Sequence, residues 1–183
     1  MPKTLKGFTL LELMITVGII AIMTGALVPS FSSYLKNQNI KQAQEQIKSD
    51  LRTAQNKALT GTGSSDTTIN YWGVYFQPNQ SSYTFFTSSV NTACPPAVVT
   101  NTTTSDTIYG SVLTKNTSGN KCMFFSLANG DATYFRGTLN TSCSLTTGDC
   151  YIPVGYSDTV SNCFGVGINS AGLIKNLSNL QCN

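Results

Sequence analysis

Lys6-Gly7-Phe8-Thr9-Leu10-Leu11-Glu12 is the junction at which a short basic leader meets an apolar run broken by one carboxylate. Residues 8–28 carry no charge except Glu12, and at a 1.5 Å rise this stretch makes about 31 Å of helix, the thickness of a bilayer core. A carboxylate inside such a segment costs roughly 2.5–3.5 kcal/mol on insertion scales, so Glu12 needs a partner or a purpose. The neighbouring sequence supplies no counter-charge. An ordinary secretory signal, with Lys3 and Lys6 as its basic end and a cut after Gly25 and Ala26, would have an apolar run of roughly 7–15 residues and no glutamate near its start. A plain membrane anchor explains the length but leaves Glu12 and the Gly7-Phe8 junction as coincidences.

Composition bounds the rest of the chain. Of 183 residues only 10% are charged, with 11 basic side chains, 8 acidic ones and no histidine. Ser, Thr and Asn dominate after Leu59, so that surface hydrates through hydroxyls and amides more than through ions. A segment of that length can bury one hydrophobic core. All six cysteines, Cys94, Cys122, Cys143, Cys150, Cys163 and Cys182, lie beyond the apolar segment. An even count on the far side of a membrane anchor favours disulfides in an oxidising compartment. Cys143 and Cys150 close a short loop and form the first pairing to expect, although other connectivities stay open. Neither a zinc site nor any other metal or cofactor is expected, because histidine and C-x-x-C pairs are both missing. Asp149 and Asp158 are too sparse for a cation that needs six to eight oxygens, and solvation explains them better.

The helix is expected to continue past Pro29 to about Leu59. Ile40, Ala43, Ile47, Leu51, Ala54 and Ala58 recur at steps of three and four and mark one apolar face, which should pack on a head. Lys36, Lys41, Glu45, Lys48, Asp50, Arg52 and Lys57 read as the solvated remainder. Thr60-Gly61-Thr62-Gly63 supplies the stop. Beyond it the period changes. Tyr71-Trp72-Gly73-Val74-Tyr75-Phe76 and Ser82-Tyr83-Thr84-Phe85-Phe86-Thr87 are aromatic and β-branched runs around the turn composition Gln77-Pro78-Asn79-Gln80. Residues 122–128 and 131–135 flank Asn129-Gly130, a strong hairpin signal. Residues 165–169 and 173–175 suggest a last hairpin around Ala171-Gly172, and the threonine-rich residues 100–107 read as a loop. Asn-x-Ser/Thr triplets at Asn79, Asn101, Asn116, Asn140 and Asn176 are expected from composition alone.

The motif G-F-T-L-L-E-L-M-I-T-V, residues 7–17, resembles the N-terminal signature of type IV pilins and of the pseudopilins of type II secretion. The resemblance implies cleavage by prepilin peptidase between Gly7 and Phe8, N-methylation of the new Phe8 amine, and packing of the helices into a filament core. Glu12 would there neutralise the terminal amine of a neighbouring subunit, and Pro29 would bend the helix. The order of helix, W-G-V-Y-F, aromatic strand pair and closing V-x-I-N-x-x-G-x-I is similar to the GspH/FimT group of minor pilins and pseudopilins, although six cysteines are unusual for it. The implied fold is α+β: a long N-terminal helix, half transmembrane and half amphipathic, packed on an antiparallel β-sheet or β-sandwich-like head. Its expected divisions are a leader, 1–7; an assembly helix, 8–28; its amphipathic continuation, 29–60; and a β-rich head, 61–183.

Three functions follow for comparison. A structural filament subunit, non-enzymatic, would have prepilin peptidase, other pilin or pseudopilin subunits, an inner-membrane assembly platform and membrane lipid as partners. It would be held in the inner membrane with its head outside the cytoplasm. A DNA-capturing minor pilin would need a basic C-terminal patch. This chain instead has Leu173 where an arginine is required, and beyond Thr60 it has Lys115, Lys121, Arg136 and Lys175 against five aspartates. Nucleic acid is therefore not expected as a partner. An enzyme would need a histidine, a carboxylate pair or an activated thiol, and no such constellation is visible.

Overall fold

The computed structural model describes residues 7–61, 68–94, 101–115, 119–136, 141–142, 150–158, 163–168, 172–180 and 182, with the side chains of 26–30, 101–104 and 141–142 outside that description. Two compact units divide the chain, Met1–Gln38 and Asn39–Asn183. One helix, α1 (Leu10–Thr60), contributes to both and runs through Pro29. Gly61 ends it in the left-handed conformation, φ 63°, with its N–H donated to the Ala58 carbonyl at 3.2 Å. This is the backbone state a C-terminal cap needs and glycine supplies without a steric cost.

In the second unit the helix packs on two antiparallel sheets. The larger is built from β1 (Tyr71–Phe76), β2 (Ser82–Ser88), β3 (Asn101–Thr107), β5 (Lys121–Ser126), β6 (Ala132–Arg136) and β7 (Thr141–Ser142), in the order β3-β2-β1-β5-β6-β7. The smaller has the order β10-β9-β8-β4, from β4 (Leu113–Thr114), β8 (Cys150–Gly155), β9 (Cys163–Ile168) and β10 (Ile174–Leu180). The expected α+β architecture is thus present. Ile40, Ala43, Ile47, Leu51, Ala54 and Ala58 are all buried, against Trp72, Val74, Phe76, Met123 and Phe125 of the larger sheet and Ile152, Val154, Val166 and Ile168 of the smaller.

Strand β5 is buried on both faces because its side chains alternate between two cores. Met123 and Phe125 enter the helix-facing core, whereas Cys122 and Phe124 join a second cluster with Phe86, Cys94 and Phe135. In that cluster Phe86 and Phe135 meet Phe124 edge to face, with centroids 5.2 and 5.4 Å away. Gly73 pairs with Phe86 across β1 and β2, and a Cβ there would lie 2.2 Å from the Phe86 ring. A glycine is the residue that lets the ring cross the strand.

Three local expectations change. Residues 101–107 form edge strand β3 and not a loop: β-branched threonines suit a pleated ribbon even when polar, and β2 supplies the ladder partners. The Asn129-Gly130 hairpin is real, but its strands stop at Ser126 and restart at Ala132. Ser126 N–H bonds the Asp131 carbonyl at 2.9 Å, and Gly130 N–H bonds the Ser126 carbonyl at 2.8 Å, which makes a five-residue connection. Strand β8 was not anticipated because Pro153 interrupts its pattern; it sits between β9 and the two-residue β4, and the Pro153 carbonyl accepts Lys115 N–H at 2.8 Å.

Cys94 is bonded to Cys122, and Cys163 to Cys182, with Cα separations of 5.6 and 5.2 Å. Cys150 is also disulfide-bonded, and no described cysteine is free. Cys143, its expected partner, lies outside the described residues.

Candidate functional site

Thr9 starts the helix. Its Oγ1 accepts the Glu12 backbone N–H at 3.2 Å, and its carbonyl accepts Leu13 N–H at 3.2 Å. Thr9-Leu10-Leu11-Glu12 is therefore the T-x-x-E pattern of a capping box, with Thr9 as cap and Glu12 at the third helical position. This signal was readable in the sequence and was missed there. It gives Glu12 a local role, since a carboxylate in the first turn is favoured by the partial positive charge of the helix end. The carboxylate itself is exposed and has no hydrogen-bond or ion-pair partner among the described residues.

Around this cap the helix is apolar on every side. Phe8, Leu10, Leu11, Leu13, Met14, Ile15, Val17, Ile19, Ile20, Ile22 and Met23 are all exposed, Phe8 by 79% and Leu11 by 70%. A helix that is hydrophobic all round belongs inside a membrane or an assembly. Its hydroxyls are accounted for internally: Thr16 Oγ1 donates to the Leu13 carbonyl at 2.9 Å and Thr24 Oγ1 to the Ile20 carbonyl at 2.7 Å. That arrangement suits a medium without water, where an unsatisfied polar group is costly. Among the described residues no helix is long and apolar enough to cross a membrane.

Gly7 and Phe8 precede the helix in extended or irregular backbone.

The head offers polar groups that the sequence did not single out. Gln44 is buried on the helix, and its Nε2 donates to the carbonyls of Gly165 and Leu177, both at 2.8 Å. Those two residues pair across β9 and β10 at the point where the register shifts, so one side-chain amide satisfies both strands. Glu45 accepts Asn176 Nδ2 at 2.6 Å, and Gln46 bridges the Thr107 carbonyl and Tyr109 N–H at 2.8 and 2.9 Å. Asp50 accepts the Tyr83 hydroxyl. Burial raises the Asp50 carboxyl above its ordinary range, partly offset by that bond, with Asp106 adding repulsion. Lys57 lies 5.0 Å above the Trp72 ring. The helix face read as solvated is in this part a row of head contacts.

Lys121 is the most perturbed cation. It is buried, with Nζ donating to the Tyr151 carbonyl at 3.4 Å and lying 5.6 Å from the Tyr151 ring. Desolvation, aided by the neighbouring Arg136 guanidinium, pushes its ammonium down to about 7. Tyr134 donates to the same Tyr151 carbonyl at 3.0 Å, which makes this a polar seam between the two sheets. No described group of three or more Cys, Asp or Glu side chains could hold a metal ion.

The geometry therefore separates a capped, all-apolar helix start bearing one exposed carboxylate from a head tied to the helix by polar side chains. Residues 3–28 match the prokaryotic N-terminal methylation motif, the motif typical of type IV pilins and pseudopilins. The motif implies a membrane-anchored N-terminal helix before assembly, and with the α+β architecture it makes the chain pilin-like. No curated protein and no solved structure matches the chain.

Proposed function

We propose that this chain is a minor pilin or pseudopilin, a structural subunit with no chemistry of its own. Prepilin peptidase would cleave it between Gly7 and Phe8 and the Phe8 amine would be methylated. The helix of residues 8–28 would then carry it from the inner membrane, at the assembly platform, into a type IV pilus or a type II secretion pseudopilus, with Pro29 bending the helix. The observation that carries this reading is the Glu12 carboxylate, exposed and without a hydrogen-bond or ion-pair partner among the described residues, at the start of a helix that is apolar all round. In a low-dielectric packing of helices a neighbour's terminal amine is the counter-charge it lacks. The methylation motif over residues 3–28 supports the same reading.

Membership of the GspH/FimT group is supported by the element order: the long helix, the Trp72-Gly73-Val74 strand, the aromatic strand pair and the closing β9–β10 hairpin. DNA capture is less well supported, since Leu173 is an exposed leucine where a phosphate-binding arginine is needed.

Glu12→Leu tests the proposal. The variant is expected to be cleaved and methylated normally, and to be lost from sheared filaments or the pseudopilus fraction. Wild-type incorporation would sink the role given to Glu12.

A further inference from the structure

Resting on the membrane-anchored reading above, we propose that Phe31 and Tyr34 form an aromatic anchor in the headgroup layer on the outer side of the membrane before assembly. The helix changes character at this level. Before Gly25 exposed apolar side chains lie on every side of the helix, whereas Phe31, Tyr34 and Leu35 occupy a single face, at spacings of three and four, and exposed Ser32 and Ser33 take the rest. Phe31 and Tyr34 are 62% and 58% exposed, so no described side chain of their own unit covers them. A one-sided aromatic stripe following an all-round apolar segment marks where a helix leaves hydrocarbon and meets a mixed medium.

Distance along the axis agrees. Phe31 and Tyr34 lie three and six residues beyond Val28, about 4.5 and 9 Å further along the helix, and headgroups add roughly 5–7 Å to each side of the hydrocarbon core. Helical side chains lean toward the N-terminus, which here is toward the membrane, and bring the Tyr34 ring back into that layer. Tyrosine suits it: the ring is apolar and the hydroxyl reaches water. The next residue with charge after Glu12 is Lys36, at the level where charge becomes affordable.

The test uses the full chain reconstituted in phosphatidylcholine–phosphatidylglycerol vesicles whose acyl chains are brominated either near the headgroup or near the bilayer centre. Tyr34→Trp and Phe31→Trp are compared with Ile19→Trp, and the signal of native Trp72 is subtracted using the parent protein. Tyr34→Trp and Phe31→Trp are expected to lose more emission to shallow than to deep bromines and to resist aqueous iodide, while Ile19→Trp is quenched most by deep bromines. Full quenching of position 34 by iodide, with no response to either lipid, would overturn the anchor while leaving the span at position 19 intact. Shielding of position 34 from both quenchers would also overturn it, in favour of cover by a second copy of the chain. If Ile19→Trp escapes the deep bromines too, the membrane reading itself fails and the anchor fails with it.

Discussion

The first unit, Met1–Gln38, and the second, Asn39–Asn183, use the same helix in opposite ways. In the second unit nearly every apolar helical side chain has a partner: Ile47, Leu51, Ala54 and Ala58 are fully buried, and Gln44, Gln46 and Asp50 are hydrogen-bonded to strands or their flanks. In the first unit the described apolar side chains are exposed, and the Glu12 carboxylate has no partner among the described residues. In the packed unit the helix is largely satisfied by the strands it touches and says little about what else it meets. The unsatisfied unit requires something outside itself, and it is the part that carries a recognisable motif. Partners are therefore best sought through the N-terminal helix, and stability through the head.

One pair of substitutions with identical chemistry breaks that comparison most sharply. Leu51→Ala removes a fully buried side chain and should destabilise the head by about 3–5 kcal/mol, whereas Leu11→Ala should stay within about 0.5 kcal/mol. Urea unfolding of the full chain in detergent, followed by the single tryptophan, Trp72, reads both. Equal effects would mean that the two units are not energetically distinct. A smaller loss, about 1–3 kcal/mol, is expected from Gly73→Ala, because a methyl group would displace the buried Phe86 ring and disturb its edge-to-face contact with Phe124.

Lys121 sharpens the comparison through pH. Its ammonium titrates at about 7 in the fold, well below the roughly 10.4 of an unburied lysine, so between these values the unfolded chain holds a proton that the folded one does not. Stability contributed by this residue should therefore rise with pH across that window and be lowest below pH 7. Lys121→Met is expected to flatten the rise and to stabilise the head at neutral pH and below, as denaturation midpoints measured at several pH values would show. A further, local effect belongs to the other unit. Thr9→Ala removes the cap on Glu12 N–H and should cost the helix start about 1 kcal/mol, visible as faster amide exchange near Leu11 to Leu13 with no change in the head's midpoint.

The sequence made the buried helix face legible because its period is set by helix geometry and each position repeats the same signal. Strands β1 and β2 were legible for the related reason that aromatic and β-branched residues cluster in them. Strand β3 was not, because a threonine-rich polar run becomes a strand only when β2 offers it an edge, and β8 was hidden by Pro153. Polar burial was the least visible. Gln44 depends on carbonyls more than a hundred residues away, and Lys121 on Tyr151, so nothing in their local sequence distinguishes them from solvated neighbours. At the N-terminus the signal is local: the methylation motif over residues 3–28 and the T-x-x-E spacing of the Thr9 cap are both legible in consecutive residues.

The central claim is that the exposed N-terminal helix is made by cleavage for assembly. N-terminal peptide mass spectrometry on protein taken from its native membrane tests it most directly. The account predicts a mature chain that begins with N-methylated Phe8. A chain that begins near Leu27, after removal of a signal peptide, or that retains residues 1–7, would contradict it.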